Sequence, residues 1–224
     1  MKGIFQTEEE IKASPKQTEN GGVSKWSGTF PGDLIFADNN GDGKIDAADR
    51  VVIGSPHPDF TFGFTNTFSY KNFDLSIFLQ GSQGAKIFNF TRVRTEGLNS
   101  LGVNQLEAAA DHWTPDNPTA KYPRFILGDP NQNNRFSDRF IEDGSYLRIQ
   151  NIAFGYTIPT GLLDKIFIKR LKIYGSIQNF KTFTKYSGYG PELGSYNQNS
   201  KLTNVDNGHY PNPRTFTLGV NVEF

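Results

Sequence analysis

The 224-residue chain carries 23 basic and 23 acidic residues, so its formal charge is zero. This balance gives no basic excess for a nucleic-acid partner, and the absence of cysteine excludes disulfides and thiolate metal sites. Aromatic residues make up 14% of the chain, and Gly is frequent at 23 residues. Because rings favour strands and Gly favours turns, we predict an all-β fold.

The first motif along the chain lies at residues 38–49, where oxygen-bearing side chains alternate around Gly43. The residues that match a twelve-residue calcium pattern are Asp38, Asn40, Asp42, Lys44 through its backbone carbonyl, Asp46 and Asp49. An ion-free loop of Asx turns is the alternative, since Asp, Asn and Gly favour turns in any case. The flanks at 34–36 and 51–53 are predicted as short strands, so we expect a structural Ca²⁺ site instead of an EF-hand sensor.

The next segment, residues 60–70, alternates aromatic with small polar residues. One face of a strand here would carry Phe60, Phe62, Phe64, Phe68 and Tyr70. The alternation fits a soluble sandwich, whose apolar face is the core, and also a membrane barrel, whose apolar face meets lipid. Taken alone, this strand favours the sandwich.

Further alternating segments follow, with a phase shift in one of them. We predict antiparallel strands at about 60–70, 73–90, 146–158, 169–182 and 213–224, and a short helix at 105–112. A β-bulge near Gln150-Asn151 would bring the apolar residues of the third strand onto one face. The adjacent carboxylates Glu142 and Asp143 point to opposite sides of a strand, which disfavours the paired-carboxylate chemistry of a glycosidase. We therefore predict that the chain is not an enzyme.

Several sequence blocks, in a fixed order, resemble the C-terminal part of a SusC/RagA-type TonB-dependent outer-membrane transporter. They include Gly3-Ile4-Phe5-Gln6-Thr7, Pro31-Gly32-Asp33, Trp113-Thr114-Pro115, Tyr122-Pro123-Arg124, Ile141-Glu142-Asp143-Gly144-Ser145-Tyr146-Leu147-Arg148 and Tyr210-Pro211-Asn212-Pro213-Arg214. The resemblance covers nearly all of residues 1–224.

This resemblance implies part of a 22-stranded transmembrane β-barrel with long extracellular loops. It implies import of glycan or peptide fragments, with a SusD-like surface lipoprotein as partner and TonB acting through an N-terminal part. The first residues lack the apolar core of a signal peptide, and the chain contains no plug domain. We therefore expect a C-terminal segment of a longer receptor.

The predicted connections agree with this resemblance. If the C-terminus is periplasmic, residues 71–72 and 159–168 are short periplasmic turns, while 91–145 and 183–212 are long outer loops. The calcium-type loop, within residues 31–58, would then be extracellular. This asymmetry reverses the preference for a sandwich and predicts an outer-membrane location in contact with lipid. The alternative is a soluble, calcium-stabilised β interaction module.

Overall fold

The structure is a computed structural model and describes residues 1–19, 22–163, 168–195, 199 and 202–224. Its strands are β1 (Gly3–Ile4), β2 (Leu34–Ile35), β3 (Phe60–Tyr70), β4 (Phe73–Gln83), β5 (Lys86–Asn89), β6 (Ile141–Asp143), β7 (Tyr146–Thr157), β8 (Arg170–Thr184), β9 (Val205–Asp206) and β10 (Thr215–Glu223). Its α-helices are α1 (Glu8–Ala13) and α2 (Phe90–Thr95). Short 3₁₀ turns lie at Ala47–Asp49, Glu107–Ala110, Asp138–Phe140 and Thr160–Leu162.

The long strands form one five-stranded antiparallel sheet in the order β10-β8-β7-β4-β3. Each long strand therefore pairs with the next long strand along the chain. The short strands between them do not belong to this sheet. The connections alternate in length, since residues 71–72 join β3 to β4 while residues 84–145 separate β4 from β7. This up-and-down antiparallel arrangement confirms the predicted fold class.

The phase shift predicted in the third long strand is present as a bulge. The register of β7 against β8 shifts between Ile149 and Asn151, and its register against β4 shifts at Phe78/Leu79. Leu147 and Ile149 consequently share a face with Ile152, although their sequence parity differs. One extra residue in the strand is enough to restore a single apolar face.

Three sequence predictions were wrong in detail. The strand predicted at 73–90 ends at Gln83, because Gly84 adopts a left-handed φ of 95° and the chain turns into β5 and α2. Asn89 then caps α2 by accepting a hydrogen bond from the amide of Arg92 at 3.1 Å. The helix predicted at 105–112 is only the 3₁₀ turn Glu107–Ala110, and residues 51–53 form no strand.

The chain divides into two compact units. Unit 1 comprises Met1–Gly54, Phe88–Ile141 and Asp206–Gly208, and unit 2 comprises Ser55–Ile87, Glu142–Val205 and His209–Phe224. The five-stranded sheet belongs to unit 2. The short strands β5, β6 and β9 form a separate sheet in the order β6-β5-β9.

Unit 1 is organised around buried polar side chains. The carboxylate of Asp33, fully buried, accepts hydrogen bonds from Arg124 Nε at 2.8 Å and Nη2 at 3.0 Å. It also accepts from the Asn133 side chain at 2.9 Å and from the Phe30 amide at 2.8 Å. Since a buried charge is tolerated only when it is paired and hydrogen-bonded, Asp33 and Arg124 depend on each other.

The backbone leading into the 38–49 loop is held by amide side chains. Gln17 donates to the carbonyl of Leu34 at 2.8 Å and accepts from the amide of Phe36 at 2.6 Å. Farther on, the amide of Ile45 donates to the carbonyl of Lys16 at 2.8 Å. These bonds add to the pairing of β2 with β1 and fix the loop at its apolar residue, Ile45.

Candidate functional site

One face of the five-stranded sheet is continuously apolar and exposed. The cross-strand register places a row of large apolar side chains from every strand on this face. Fourteen of them are at least 36% exposed: Phe60, Phe62, Phe64, Phe68, Tyr70, Phe73, Leu147, Phe154, Ile173, Phe183, Phe216, Leu218, Val220 and Val222. Among the paired residues of the described strands, the polar side chains that interrupt this face are Asn66, Gln83 and Lys181.

The size of this face determines what kind of surroundings it needs. Burying one side chain of this type is worth about 1.5–3 kcal/mol, whereas the net stability of a domain is about 5–15 kcal/mol. Contiguous apolar surface of this extent marks a protein or membrane contact. The face therefore requires an apolar environment outside the sheet.

The opposite face carries mainly polar side chains, and an ion pair lies on it. Lys172 of β8 reaches across β7 to Asp74 of β4, with Nζ 2.7 Å from Oδ1. The strand between them has Gly155 at the crossing point, where an added Cβ would lie 2.4 Å from Cε of the lysine and 2.7 Å from the carboxylate. Glycine at this position thus leaves room for the ion pair, whose side chains would have to shift to accommodate a larger residue.

A second polar cluster on the same face surrounds Glu192, which belongs to the connection between β8 and β10. Its Oε1 accepts from Gln80 Nε2 at 2.7 Å and from the Tyr146 hydroxyl at 2.9 Å. Its Oε2 accepts from Asn212 Nδ2 at 2.9 Å and from Arg148 Nη1. Four donors therefore converge on one carboxylate. We refer to Gln80, Tyr146, Arg148 and Asn212 as the donor cluster.

The sequence analysis did not identify the donor cluster, because Gln80 and Glu192 are 112 residues apart. A signal was nevertheless present. Gln80 has the sequence parity of the polar face of β4. In the register of β4 and β7 it lies directly opposite Arg148. A guanidinium within a sheet needs an acidic partner, and Glu192 in the last long connection is such a residue.

The predicted calcium ligands all lie in the 38–49 loop of unit 1 and curl around Gly41 and Gly43, which have φ values of 78° and 81°. The carboxylate of Asp38 accepts from the amide of Gly41 at 2.6 Å and from that of Gly43 at 2.9 Å. Asp42 Oδ1 accepts from the Lys44 amide at 2.9 Å. Asn40 Oδ1 likewise accepts from the Asp42 amide at 3.0 Å. Asx-type bonds thus shape the loop.

Asp46 and Asp49 form the end of the loop. Asp46 caps the 3₁₀ turn by accepting from the Ala48 amide at 2.7 Å. Asp49 is buried and accepts from the amides of Asp46 and Asn39, both at 2.8 Å. These two amides, that of Asp46 first, lower the pKa of the Asp49 carboxyl below its ordinary value.

The donor chemistry of the loop suits a hard cation, because carboxylate, amide and carbonyl oxygens are the ligands that Ca²⁺ prefers. Within the described ranges, no three His, Asp or Glu side chains are grouped as a metal site. The loop oxygens bond to backbone amides instead, so binding would require some of these side chains to turn. Calcium binding stays a prediction.

The adjacent carboxylates Glu142 and Asp143 have separate structural partners. Glu142 accepts from both the amide and the hydroxyl of Ser187, each at 2.8 Å. Asp143 Oδ1 accepts from the Ser145 hydroxyl at 2.7 Å and lies 3.9 Å from Lys86 Nζ. These contacts lower the pKa of Asp143, the Ser145 hydroxyl being the largest cause. Both side chains join nearby segments of unit 2.

Among the described residues, none of the helices has the length and apolar content needed to cross a membrane. The sheet instead has the arrangement found in transmembrane β-barrels. Their strands are antiparallel and follow an up-and-down order, with one apolar, exposed face and one polar face.

Comparison with known proteins agrees with this class. The chain is 41% identical over 198 residues to TonB-dependent receptor P3 of Formosa agariphila, covering 87% of this chain and 19% of that receptor. It is 35% identical to TonB-dependent receptor P26 of the same organism over 99% of this chain and 22% of the receptor. Its identity to TonB-dependent receptor SusC of Bacteroides thetaiotaomicron is 30%, over 87% of this chain and 18% of SusC. No family model matches the chain.

The solved structures give the same result. The RagAB peptide importer in its open-open state superposes with a TM-score of 0.69 and 26% identity, covering 85% of this chain and 20% of that one. The chain is therefore homologous to one segment of SusC/RagA-type TonB-dependent receptors. It spans about a fifth of the length of the relatives that it matches.

Proposed function

We propose that this chain forms part of the wall of an outer-membrane TonB-dependent transporter that imports nutrient fragments. The apolar face of the five-stranded sheet contacts lipid, and the polar face lines the transport pathway. The observation that carries the proposal is the exposed apolar face, which runs through all five strands without an interruption larger than a single residue.

The alternative of a soluble, calcium-stabilised module fits the 38–49 loop but not the sheet. A soluble sandwich buries its apolar face against a second sheet, whereas Phe64 and Leu218 are 55% and 81% exposed. The homology to TonB-dependent receptors supports the transporter for an independent reason. We therefore prefer a role in membrane transport and not in enzymatic catalysis.

The substrate and partners follow from the relatives as part of the same proposal. RagAB is a peptide importer, and glycan fragments are the other substrate class that we propose for this chain. A SusD-like surface lipoprotein would deliver the substrate. TonB would act on a part of the receptor outside these residues, and the C-terminus would face the periplasm.

The 38–49 loop has a structural role in this proposal. We propose that it binds Ca²⁺ through Asp38, Asn40, Asp42, the Lys44 carbonyl, Asp46 and Asp49 and thereby stiffens an extracellular segment. The support is the donor chemistry together with the backbone bridge from Ile45 to Lys16, which anchors the loop at one point. A structural ion at this place would brace the loop without taking part in transport.

Adjacent residues of β7 provide the test of the two faces. Phe154 lies on the apolar face, opposite Leu75 and Gly175, whereas Ala153 lies on the polar face, opposite Ser76 and Ser176. Residues 1–224 contain no cysteine, so once any cysteine elsewhere in the receptor is replaced by serine, Phe154→Cys and Ala153→Cys each provide one labelling site. In the full-length receptor reconstituted in liposomes, we expect brominated lipid to quench a fluorophore at 154 and aqueous iodide to quench one at 153. Equal quenching by iodide at both positions would contradict the proposal.

A further inference from the structure

The donor cluster differs from an ordinary structural ion pair in where its members are attached. Gln80, Tyr146 and Arg148 belong to β4 and β7, whose register fixes the first and third directly opposite each other. The Arg148 side chain is only 5% exposed, and its Nε donates to Thr182 of β8 at 2.7 Å. This strand-borne part of the cluster is therefore held in place without Glu192.

The acceptor lies on a different kind of element. Glu192 belongs to the long connection after β8, and its side chain is 22% exposed. Sites on strands are more rigid than sites on loops. The donors are fixed on strands, whereas the carboxylate that they bind is on a loop. In this geometry an external carboxylate can replace that of Glu192 while the donors stay in place.

The Asp33–Arg124 pair of unit 1 provides a contrast. There the carboxylate is 0% exposed, so an external group has no access to the position that it occupies. Glu192, by comparison, borders a small cavity of about 70 Å³ on the polar face, together with Asn179, Tyr189 and Tyr210. This volume is well below the roughly 300 Å³ at which ligand pockets begin. A ligand can therefore use the cavity only by displacing Glu192.

We propose that the donor cluster is a carboxylate-binding site for the transported ligand, and that Glu192 occupies it in the resting conformation. The ligand class is an oligomer with a free carboxylate, either the terminus or acidic side chain of a peptide or the uronate of an acidic oligosaccharide. Displacement of Glu192 breaks its hydrogen bonds to the donor cluster. The inference rests on the proposed function, because only a polar face that lines the pathway meets the ligand.

Removal of the internal carboxylate provides the first test. In the full-length receptor, Glu192→Gly leaves the donors in place, and acetate is the probe of the vacated site. We expect acetate to raise the unfolding temperature of Glu192→Gly but not that of the wild type. Adding Arg148→Gln should weaken acetate binding at least about tenfold, because a charged hydrogen bond is lost. If folded Glu192→Gly does not respond to acetate, the proposal is wrong.

A second variant covers the case in which Glu192→Gly does not fold. Glu192→Gln keeps the side-chain shape but occupies the donor cluster as a neutral amide, so acetate should bind this variant at least about tenfold more tightly than the wild type. Unchanged or weaker acetate binding by Glu192→Gln would overturn the inference.

The ligand itself is tested with a reporter next to Glu192. An added Cβ at Gly190 meets no atom within 4 Å, so Gly190→Cys can carry a thiol label without distortion. We expect a peptide with a free C-terminus, or an oligogalacturonate, to accelerate thiol labelling, while the amidated peptide or the methyl ester does not. Whichever pair responds identifies the source of the carboxylate. Equal responses to the free and blocked forms of both would refute the site, whereas the quenching at 153 and 154 tests the proposed function separately.

Discussion

Replacement of Arg124 by Met tests whether the buried ion pair holds unit 1 together. The variant keeps most of the side-chain volume but removes two of the four hydrogen bonds to the Asp33 carboxylate, at 2.8 and 3.0 Å. The remaining donors are the Asn133 amide group and the Phe30 backbone amide, both neutral. Because Asp33 is 0% exposed, removing its cation leaves an uncompensated buried charge. Such a change costs about 3–5 kcal/mol.

The assay uses the intrinsic fluorescence of the protein. The chain has two tryptophans, Trp26 and Trp113, and both belong to unit 1. Trp113 is 9% exposed, so in a receptor whose tryptophans outside residues 1–224 are replaced by Phe, its emission reports unfolding of this unit during a urea titration in detergent. The exposed pair Glu8–Lys12, at 3.9 Å, provides the control, and Glu8→Gln should change the free energy of unfolding by less than about 0.5 kcal/mol.

A double variant separates lost charge compensation from lost packing. If the stranded charge is responsible, Arg124→Met with Asp33→Asn should be more stable than Arg124→Met alone, because the second substitution removes the buried charge. A single-variant cost below about 1 kcal/mol would refute the reasoning. So would a double variant no more stable than the single one.

Three further changes have defined outcomes. Gly155→Val should push Lys172 away from Asp74 and destabilise the sheet by about 1–3 kcal/mol, measured by unfolding in detergent. Calorimetric titration with Ca²⁺ should give binding heat with the intact receptor and at least about tenfold weaker binding with Asp42→Ala. No heat with the intact receptor would exclude the ion. The pKa of the Asp49 carboxyl is lowered, first by the amide of Asp46, so its stabilising effect is complete above the ordinary value of 3.8 and is lost as the pH falls through the lowered value. The hydrogen-exchange protection factors of the loop amides should therefore fall across that acidic range in the wild type but not in Asp49→Asn.

The strands of the sheet could be predicted because their environments alternate with the period of the backbone. Each strand has apolar residues on one face and polar residues on the other. The alternation from Phe60 to Tyr70 therefore predicts both the strand and its two faces. The bulge at Gln150 could be predicted for the same reason, since a change of parity has no other simple cause. Long-range contacts were not needed for these inferences.

Unit 1 could not be predicted in this way. Its organising contacts join residues far apart in sequence, such as Asp33 with Arg124 at a separation of 91 and Gln17 with Asn131 at 114. Buried Asn and Gln that satisfy irregular backbone have the composition of an exposed loop, and no periodicity marks them. The spacing of the 38–49 loop could be recognised, but the hydrogen bonds that shape it could not.

The two faces of the sheet together also explain why alternation alone did not separate a sandwich from a membrane wall. Both folds require the same period, and they differ only in what covers the apolar face. In the sheet this face is exposed, while the polar face carries the Lys172–Asp74 pair and the donor cluster around Glu192. A hydrocarbon environment suits the apolar face, but it also requires every backbone N–H and C=O within it to be hydrogen-bonded. The edge strands β3 and β10 each have one unpaired side in the sheet order. In lipid both therefore require neighbouring strands, which a longer receptor would supply.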